Sequence, residues 1–326
     1  MAVLGIESSA HTFGVGLSEN GRIIANAKEM YRISDKGMVP SKVAEHHFRN
    51  AKRVIEAAIA EAGVGISSIE AVGYTRGPGI GTCLRVGELA ALAFARRHNL
   101  PIYPVNHAIA HIQITTHLSG MDNPLAVYVS GGNSQIVKIV EKPKRRYHVY
   151  GETLDIGVGN MLDAFARAAG LKPAWGSTVA NVALGGSYFQ MPYTVKGMDF
   201  TFTGLLTNAE KSLGLHKAKD VAFSLQETAF SMIAEAAERA LLLTHSKGVI
   251  LCGGVAQSSR LQGILKAMAK SHRCSFFVAP NEFNADNGAM IAYVAEGMHK
   301  SGKCEGAYPL GIDQKYRADK VDLLWL

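Results

Sequence analysis

Cysteine is scarce and scattered in this chain of 326 residues: Cys83, Cys252, Cys274 and Cys304, with no CxxC among them. That excludes a zinc ribbon and offers no disulfide framework, so a reducing compartment fits. Long apolar runs are missing as well. No stretch reaches the roughly 18 apolar residues that a membrane-spanning helix needs. The first residues, MAVLGIESSAHTFGVGL, are apolar but carry Glu7 and His11 and no basic leader, which argues against a signal peptide. The expected address is cytoplasmic. No repeat of short fixed period runs through the chain, and no RNA-binding aromatic motif is present. Charged residues make up 19% against 48% hydrophobic, as in an ordinary globular protein. The length suffices for two domains or for one fold with two lobes. The one marked imbalance is a net charge of +7. It suits a polyanionic partner such as nucleic acid, but it concerns association and not fold.

The most informative stretch is VNHAIAHIQITTHLSGMDNPLAVYVSGG, residues 105–132. A helix over Ala108–Thr116 would turn His107 and His111 in one direction, because residues four apart share a helix face. Paired imidazoles are what a metal takes from such a face. Two buried histidines satisfied by hydrogen bonds would show the same spacing, and at this point both readings stand. The position that carries the general base in H-E-x-x-H metalloproteases holds Ala108 here. Tyr128-Val129-Ser130-Gly131-Gly132 follows, and a strand ending in a glycine pair reads as a phosphate cradle.

Taken in order, residues 2–7, 13–18 and 22–30 read as strands, the first two joined by the small polar turn Ser8–Thr12. Ser41 is expected to cap a helix over Lys42–Ala62 that stops at Gly63. Its Glu45-His46-His47 reads as a solvated face. Residues 69–75 form a strand leading into Arg76-Gly-Pro-Gly-Ile-Gly81 and a helix over Leu84–His98. Strand, glycine loop and helix set a helix N-terminus near an anion, although no Lys-Ser/Thr completes a Walker loop. Strands follow at 101–105, 125–130, 134–140 and 147–151. Lys142, Lys144, Arg145 and Arg146 form a basic cluster that could meet RNA phosphates or simply be a solvated turn. Glu152–Ala168 passes from loop to helix and carries Asp155 and Asp163. Residues 172–187 read as loop, and 196–204 as a polar-aromatic stretch on a cleft wall. Val221–His245 is a long helix. A strand at 248–252, a helix at 258–271, a strand at 275–278, a helix at 287–299 capped by Asp286-Asn287-Gly288, and a tail strand at 320–325 complete the pattern.

An architecture repeats over long range. Residues 3–17 and 126–140 are both strand, small turn, strand; residues 71–95 and 248–269 are both strand, glycine loop, helix. The expectation is an α/β fold of two related lobes with a nucleotide cleft between them. The lobes would be residues 1–124 with part of 285–326, and residues 125–284.

Those two turns and the glycine-pair loop resemble the actin, sugar-kinase and heat-shock ATPase superfamily. Within it, GIESSAHT (5–12), HAIAH (107–111), YVSGGNSQ (128–135), GETLDIGVGNMLDAFAR (151–167), KGMDFTFTGLLT (196–207), LCGGVAQSSRL (251–261) and DNGAMIAY (286–293) together resemble the universal tRNA threonylcarbamoyladenosine synthase family. That family was formerly called O-sialoglycoprotein endopeptidase. The likeness runs over nearly the whole chain, and AHT in the first motif is similar to the archaeal and eukaryotic branch, the catalytic subunit of the KEOPS complex.

The resemblance implies an acyltransferase that moves threonylcarbamoyl from threonylcarbamoyl-AMP to N6 of the adenosine beside the anticodon in tRNAs reading ANN codons. It implies metal ligands at His107, His111, Tyr128 and Asp286 for one divalent ion, Fe(2+) ahead of Zn(2+). It implies contacts to the adenine nucleotide, threonylcarbamoyl-AMP or ATP, at Tyr128, Val129, Ser130, Gly131, Gly132, Asp163 and Gly176, with Ser258 in the adenosine loop. Glu7 and His11 would face the reactive end. The implied partners are tRNA, a small Bud-type kinase, a dimerising subunit and a kinase-binding subunit, with no membrane. Two positions depart from the pattern: Ala180 stands where the family has a nucleotide-contacting Glu, and Ser258-Ser259 where it has Asn-Asn. The competing expectations are an ATP-hydrolysing actin-like scaffold or switch, and a metallopeptidase, against which Ala108 counts.

Overall fold

The fold comes from a computed structural model that describes residues 2–32 and 38–326. In chain order the elements are β1 (Ala2–Glu7), β2 (Thr12–Glu19), β3 (Arg22–Met30), α1 (Pro40–Ala62), β4 (Ile69–Gly77), α2 (Gly81–His98), β5 (Ile102–Asn106) and α3 (His107–Ser119). Then come β6 (Leu125–Val129), β7 (Ser134–Val140), β8 (Arg146–Glu152), α4 (Val158–Ala168), α5 (Gly176–Val182), the small pair β9 (Val195–Lys196) and β10 (Asp199–Phe200), and α6 (Thr203–Ser212). The chain closes with α7 (Ala218–Thr244), β11 (Gly248–Cys252), α8 (Ser259–Ser271), β12 (Ser275–Val278), α9 (Asn281–Asn284) and α10 (Gly288–Ser301). Among the described residues no helix is long and apolar enough to cross a membrane.

The chain divides into two compact units. One comprises Met1–Ile114, Val140–Tyr147 and Ala285–Leu326, the other Thr115–Ile139 and His148–Asn284. The division thus lies after Ile114, inside α3, where the sequence placed it at 124, and the turn before β8 goes with the first unit. Each unit holds a five-stranded sheet of the same connectivity. The first has the order β3-β2-β1-β4-β5 and the second β8-β7-β6-β11-β12. In the first, β1–β2 and β2–β3 are antiparallel while β1–β4 and β4–β5 are parallel. In the second, β6–β7 is antiparallel while β6–β11 and β11–β12 are parallel. The repeat read from the sequence is therefore a repeat of topology.

In the first unit the strand alternation sorts side chains between two different neighbours. Leu4, Ile6, Phe13, Val15 and Leu17 join residues of α1 and α2 in one apolar cluster. The intervening positions, Gly5, Gly14 and Gly16, face α10. A Cβ on Gly5 would lie 2.1 Å from the Ala292 nitrogen, and one on Gly16 would lie 2.3 Å from the Ala289 nitrogen. A Cβ on Gly288 would in turn lie 2.3 Å from the Gly16 nitrogen. Helix backbone therefore rests directly on strand backbone. Beyond the glycines, Ser18 donates to the buried Glu296 of α10, which also accepts from the Gly21 amide and pairs with Lys300. In the second unit, Leu125, Val127 and Val129 of β6 share a core with α4, α6, α7 and α8.

Several local expectations need correction. Ser41 does not cap α1: the cap position is Val39, without a side-chain bond, and Pro40 opens the helix. Proline fits there because its fixed φ suits the first turn and its missing N–H needs no partner. Helix α2 starts at Gly81, earlier than Leu84. Residues 172–187 are not all loop, since they contain α5, and the polar-aromatic stretch runs into α6 at Thr203. The tail is not a strand. A single turn at Ala318–Lys320 is followed by a chain in which the Leu323 amide donates to the Arg145 carbonyl at 2.8 Å and the Asp322 carbonyl accepts from the Tyr308 hydroxyl. The basic cluster is partly neutralised, with Lys144 on Asp322 at 2.7 Å and Arg145 on Glu141 at 3.2 Å.

The glycine contact predicts two opposite outcomes. Gly5→Ala forces a methyl into the backbone of α10 and should lower unfolding free energy by about 3 kcal/mol or more. Gly263→Ala, in the middle of α8 with nothing within 4 Å of the added methyl, should raise it by roughly 0.5–1 kcal/mol. Urea unfolding midpoints of the two variants check both.

Candidate metal centre

Three strand ends and two helix starts build the site within the first unit. Parallel strands β1, β4 and β5 finish at Glu7, Gly77 and Asn106, and side chains at the carboxyl ends of such strands are where α/β sheets place their chemistry. Asn106 caps α3: its Oδ1 accepts from the Ile109 amide at 3.1 Å. His107 is the first residue of that helix and His111 lies one turn on. Asp286 immediately precedes Asn287, which caps α10 by accepting from the Met290 amide at 3.0 Å.

Nε2 of His107 and Nε2 of His111 face the same oxygen of Asp286, at 3.6 and 3.4 Å. The three ligand atoms lie within 4.8 Å of one another. Two donors each about 2.0–2.1 Å from a tetrahedral ion would be roughly 3.3–3.4 Å apart, so the observed spacing fits a divalent ion of iron or zinc size. Charge fits as well. Glu7 and Asp286 are two carboxylates set close together beside His107 and His111, and a divalent cation would balance them.

Glu7, fully buried, stands behind His107. Its Oε2 lies 3.0 Å from Nδ1 of His107 and accepts from the Thr75 hydroxyl at 2.7 Å, while Oε1 accepts from the Ser9 amide at 2.5 Å. Ser9 Oγ lies 3.3 Å from the same Nδ1. A carboxylate on Nδ1 fixes the tautomer that leaves Nε2 to a metal. The electrostatics agree. Burial works against a proton on His107, but Glu7 and Asp286 prevail and hold its pKa up at about 9. Burial, with His107 alongside, pushes His111 below its ordinary value. Burial works to raise Asp286, yet its bond to His111 and the charge of His107 hold it well below the usual carboxylate range. Glu7 is likewise lowered by His107 against the effect of burial. The field that retains a proton at His107 is a field that favours a cation.

His11 lies in the turn between β1 and β2, half-buried, with its carbonyl accepting from the Tyr31 amide at 2.8 Å. Fully buried His47, from α1, holds this turn through Nε2, 2.9 Å from the Ala10 carbonyl. Thus the triplet read as a solvated face supplies a buried residue, and Asn106, Thr75 and Ser9 also escaped the sequence reading. Asn106 carried a signal, an Asn directly before an apolar helix; the others did not.

The remaining expected residues lie in the second unit. Tyr128 is buried in β6, beside Cys252 of β11 in the register. Gly253, at φ +95°, packs so closely that a Cβ would lie 2.3 Å from the Val129 carbonyl oxygen. Exposed Gly131 and Gly132 form the turn after Ser130, and α4 starts against it. The Val158 amide donates to Ser134 Oγ, the Gly159 amide to the Ser130 carbonyl and the Asn160 amide to the Gly131 carbonyl, at 3.1, 3.2 and 3.1 Å. Asp163 and Gly176 are brought together: the Gly176 amide, at the start of α5, donates to Asp163 Oδ1 at 2.7 Å. Ser258 caps α8 by accepting from the Leu261 amide at 3.4 Å.

A family model described as tRNA N6-adenosine threonylcarbamoyltransferase matches residues 21–293. A protein of that name from Thermococcus sibiricus is 42% identical over 328 residues, covering all of both chains. Another from Ignicoccus hospitalis is 41% identical over 333 residues, again covering all of both. A probable bifunctional tRNA threonylcarbamoyladenosine biosynthesis protein from Methanothermobacter thermautotrophicus is 42% identical and contains all of this chain within 61% of its own length. Among solved structures, Thermococcus kodakarensis HypF superposes with a TM-score of 0.62 over 92% of this chain and 48% of its own, at 14% identity. Component A of Acidaminococcus fermentans (R)-2-hydroxyglutaryl-CoA dehydratase gives 0.56 over 90% and 96%, also at 14%. At that identity these two speak for the fold alone.

Two measurements follow from the site. Glu7→Gln should weaken Zn(2+) binding by about 10–100-fold in a chelator competition titration, and His111→Ala should abolish stoichiometric binding. Acid should reveal His47, whose burial depresses its pKa from 6.5 to about 4. The unfolded chain takes up that proton first, so stability present above pH 6.5 is lost as pH falls toward 4. The loss should be about 2 kcal/mol between pH 7 and pH 5. His47→Gln, which can still donate to Ala10, should unfold in urea with that much less dependence on pH.

Proposed function

The chain belongs to the tRNA N6-adenosine threonylcarbamoyltransferase family, and from that premise we propose that it moves threonylcarbamoyl from threonylcarbamoyl-AMP onto N6 of the adenosine beside the anticodon of ANN-decoding tRNAs, with help from a metal at His107, His111 and Asp286. The fold is the α/β fold of two actin-like units, and the activity is that of a transferase acting on tRNA adenosine. The observation that carries the metal reading is the convergence of two Nε2 atoms on one Asp286 oxygen, with Glu7 behind His107.

In the proposed reaction the adenosine N6 attacks the carbamoyl carbon, the bond from that carbon to the phosphate oxygen breaks, AMP leaves with the electron pair, and N6 gives up a proton. His107, His111 and Asp286 would hold a divalent ion, iron or zinc, which when bound would supply Lewis acidity to this transfer. Nitrogen and oxygen donors without thiolate suit either metal. Glu7 already accepts from Ser9 and Thr75 and lies against His107, so its part is to hold the His107 tautomer. His11, on the turn that His47 anchors, is the residue of the pair proposed to receive the proton. Tyr128, Val129, Ser130, Gly131, Gly132, Asp163, Gly176 and Ser258, all in the second unit, are proposed to contact the adenine nucleotide. Asp163 and Ser258 each give one acceptor to a helix start. Ser258 has a hydroxyl proton to offer a ribose or base. The proposed setting is the cytoplasm, with tRNA and the KEOPS subunits as partners.

The test is transfer to unmodified tRNA, given pre-made threonylcarbamoyl-AMP and the partner subunits. The wild type should form the modified adenosine, and His111→Ala should form it more than about a hundredfold more slowly. No product from the wild type, with ATP hydrolysis intact, would replace this reading with that of an ATP-driven scaffold.

A further inference from the structure

The residues after α10 return to the first unit and lie across the ends of its parallel strands. The Asp313 amide donates to the Arg76 carbonyl at 2.9 Å, and the Gly79 amide donates to the Gln314 carbonyl at 3.4 Å. Tyr74 Oη donates to the Gly311 carbonyl at 3.1 Å and accepts from the Gly311 amide at 3.1 Å. Gly311 has a φ of +108°, a conformation that glycine supplies without strain. The Arg76 guanidinium sits 4.6 Å over the Tyr316 ring and donates to the Pro309 carbonyl at 3.0 Å. The fit is close enough that a Cβ on Gly77 would lie 1.8 Å from the Asp313 carbonyl oxygen.

This strap ends on the residue that starts the ligand helix. Nδ2 of Asn106 donates to the Tyr316 carbonyl at 2.7 Å, while Oδ1 of the same amide accepts from the Ile109 amide. Asn106 is 4% exposed, so neither bond competes with bulk water. One planar side chain thus ties residues 309–316 to the first turn of α3, where His107 sits at the first position. A cap alone would need only an acceptor, and serine, threonine or aspartate would serve. Where the same side chain must also donate, a carboxylate fails, and a hydroxyl would have to do both from a single atom close to the backbone, whereas an amide does so from two atoms further out.

We propose that residues 309–316 form a strap that sets the metal ligands, and that Asn106 is the positioning residue through which it holds His107. The inference rests on the reading of His107 as a ligand. It assigns a role in metal affinity to a segment containing no ligand, and it separates Asn106 from residues that merely stabilise the fold.

The experiment is a double-mutant cycle on the full chain, read by Zn(2+) affinity in chelator competition well below the unfolding midpoint. Asn106→Ser keeps a cap acceptor and loses the reach to Tyr316. Tyr74→Phe removes only the hydroxyl that clasps Gly311. Asn106→Ser should weaken Zn(2+) binding about tenfold, Tyr74→Phe should weaken it about threefold, and the double variant should match Asn106→Ser. Such non-additivity marks a shared route. Asn106→Gln, which retains both amide functions, should bind Zn(2+) more tightly than Asn106→Ser. Full Zn(2+) affinity in folded Asn106→Ser, or factors that simply multiply in the double variant, would overturn the proposal. His107→Ala is the control for the underlying reading: if it binds Zn(2+) as the wild type does, the metal centre itself is wrong, whereas its loss beside an unaffected Asn106→Ser removes only the strap.

Discussion

Backbone resting on backbone is the constraint from which the first unit follows. Three strands of the sheet, β1, β2 and β4, present glycine to α10 while their other face presents branched and aromatic side chains to α1 and α2. A sheet with helices on both faces must bury both, and here one face does so by removing side chains. The gain is positional. With no side chains between them, the helix has little freedom to slide, and the residue before its cap is delivered to one place. That residue is Asp286.

Around Asp286 the chemistry is one of compensated charge. Two carboxylates are taken out of water together, which is tolerated only where cationic partners or hydrogen-bond donors surround them. Glu7 meets an amide, a hydroxyl and an imidazole; Asp286 meets two imidazoles. The arrangement is graded. One carboxylate has both oxygens engaged by an amide, a hydroxyl and an imidazole, while the other meets two imidazole nitrogens with one oxygen. The second unit repeats the topology with different chemistry: the turn matching Ser8–Thr12 is Ser130–Asn133, and the amides at the start of α4 close on it.

Much of this was legible in the sequence, for identifiable reasons. The repeated order of hairpin and strand-loop-helix is carried by apolar periodicity and by glycine, and both survive in a single chain. The HxxxH spacing implied a shared face whether or not a metal was involved, and a resemblance spread over seven motifs brought in Asp286. What escaped were contacts between residues far apart in sequence: Thr75 on Glu7, His47 on Ala10, Tyr316 on Asn106. No local pattern announces them. His47 was misread because a polar triplet on a helix is usually solvated, and here the helix turns its middle against the hairpin. Ser41 lost the cap position to Val39 because Pro40 could open the helix without one. The tail's apolar residues mimicked a strand because they pack without joining a sheet.

The cluster is assembled from the chain's two ends: Glu7 comes from the first strand, His107 and His111 from the first third, Asp286 from just before the last long helix. During synthesis, then, His107 and His111 emerge early and wait for Asp286. A polypeptide released by a ribosome stalled just short of Asp286 contains most of the protein and both histidines, yet cannot assemble the cluster. Ordering of the centre is in that sense a late checkpoint on manufacture, and an incomplete copy would declare itself by what it fails to gather.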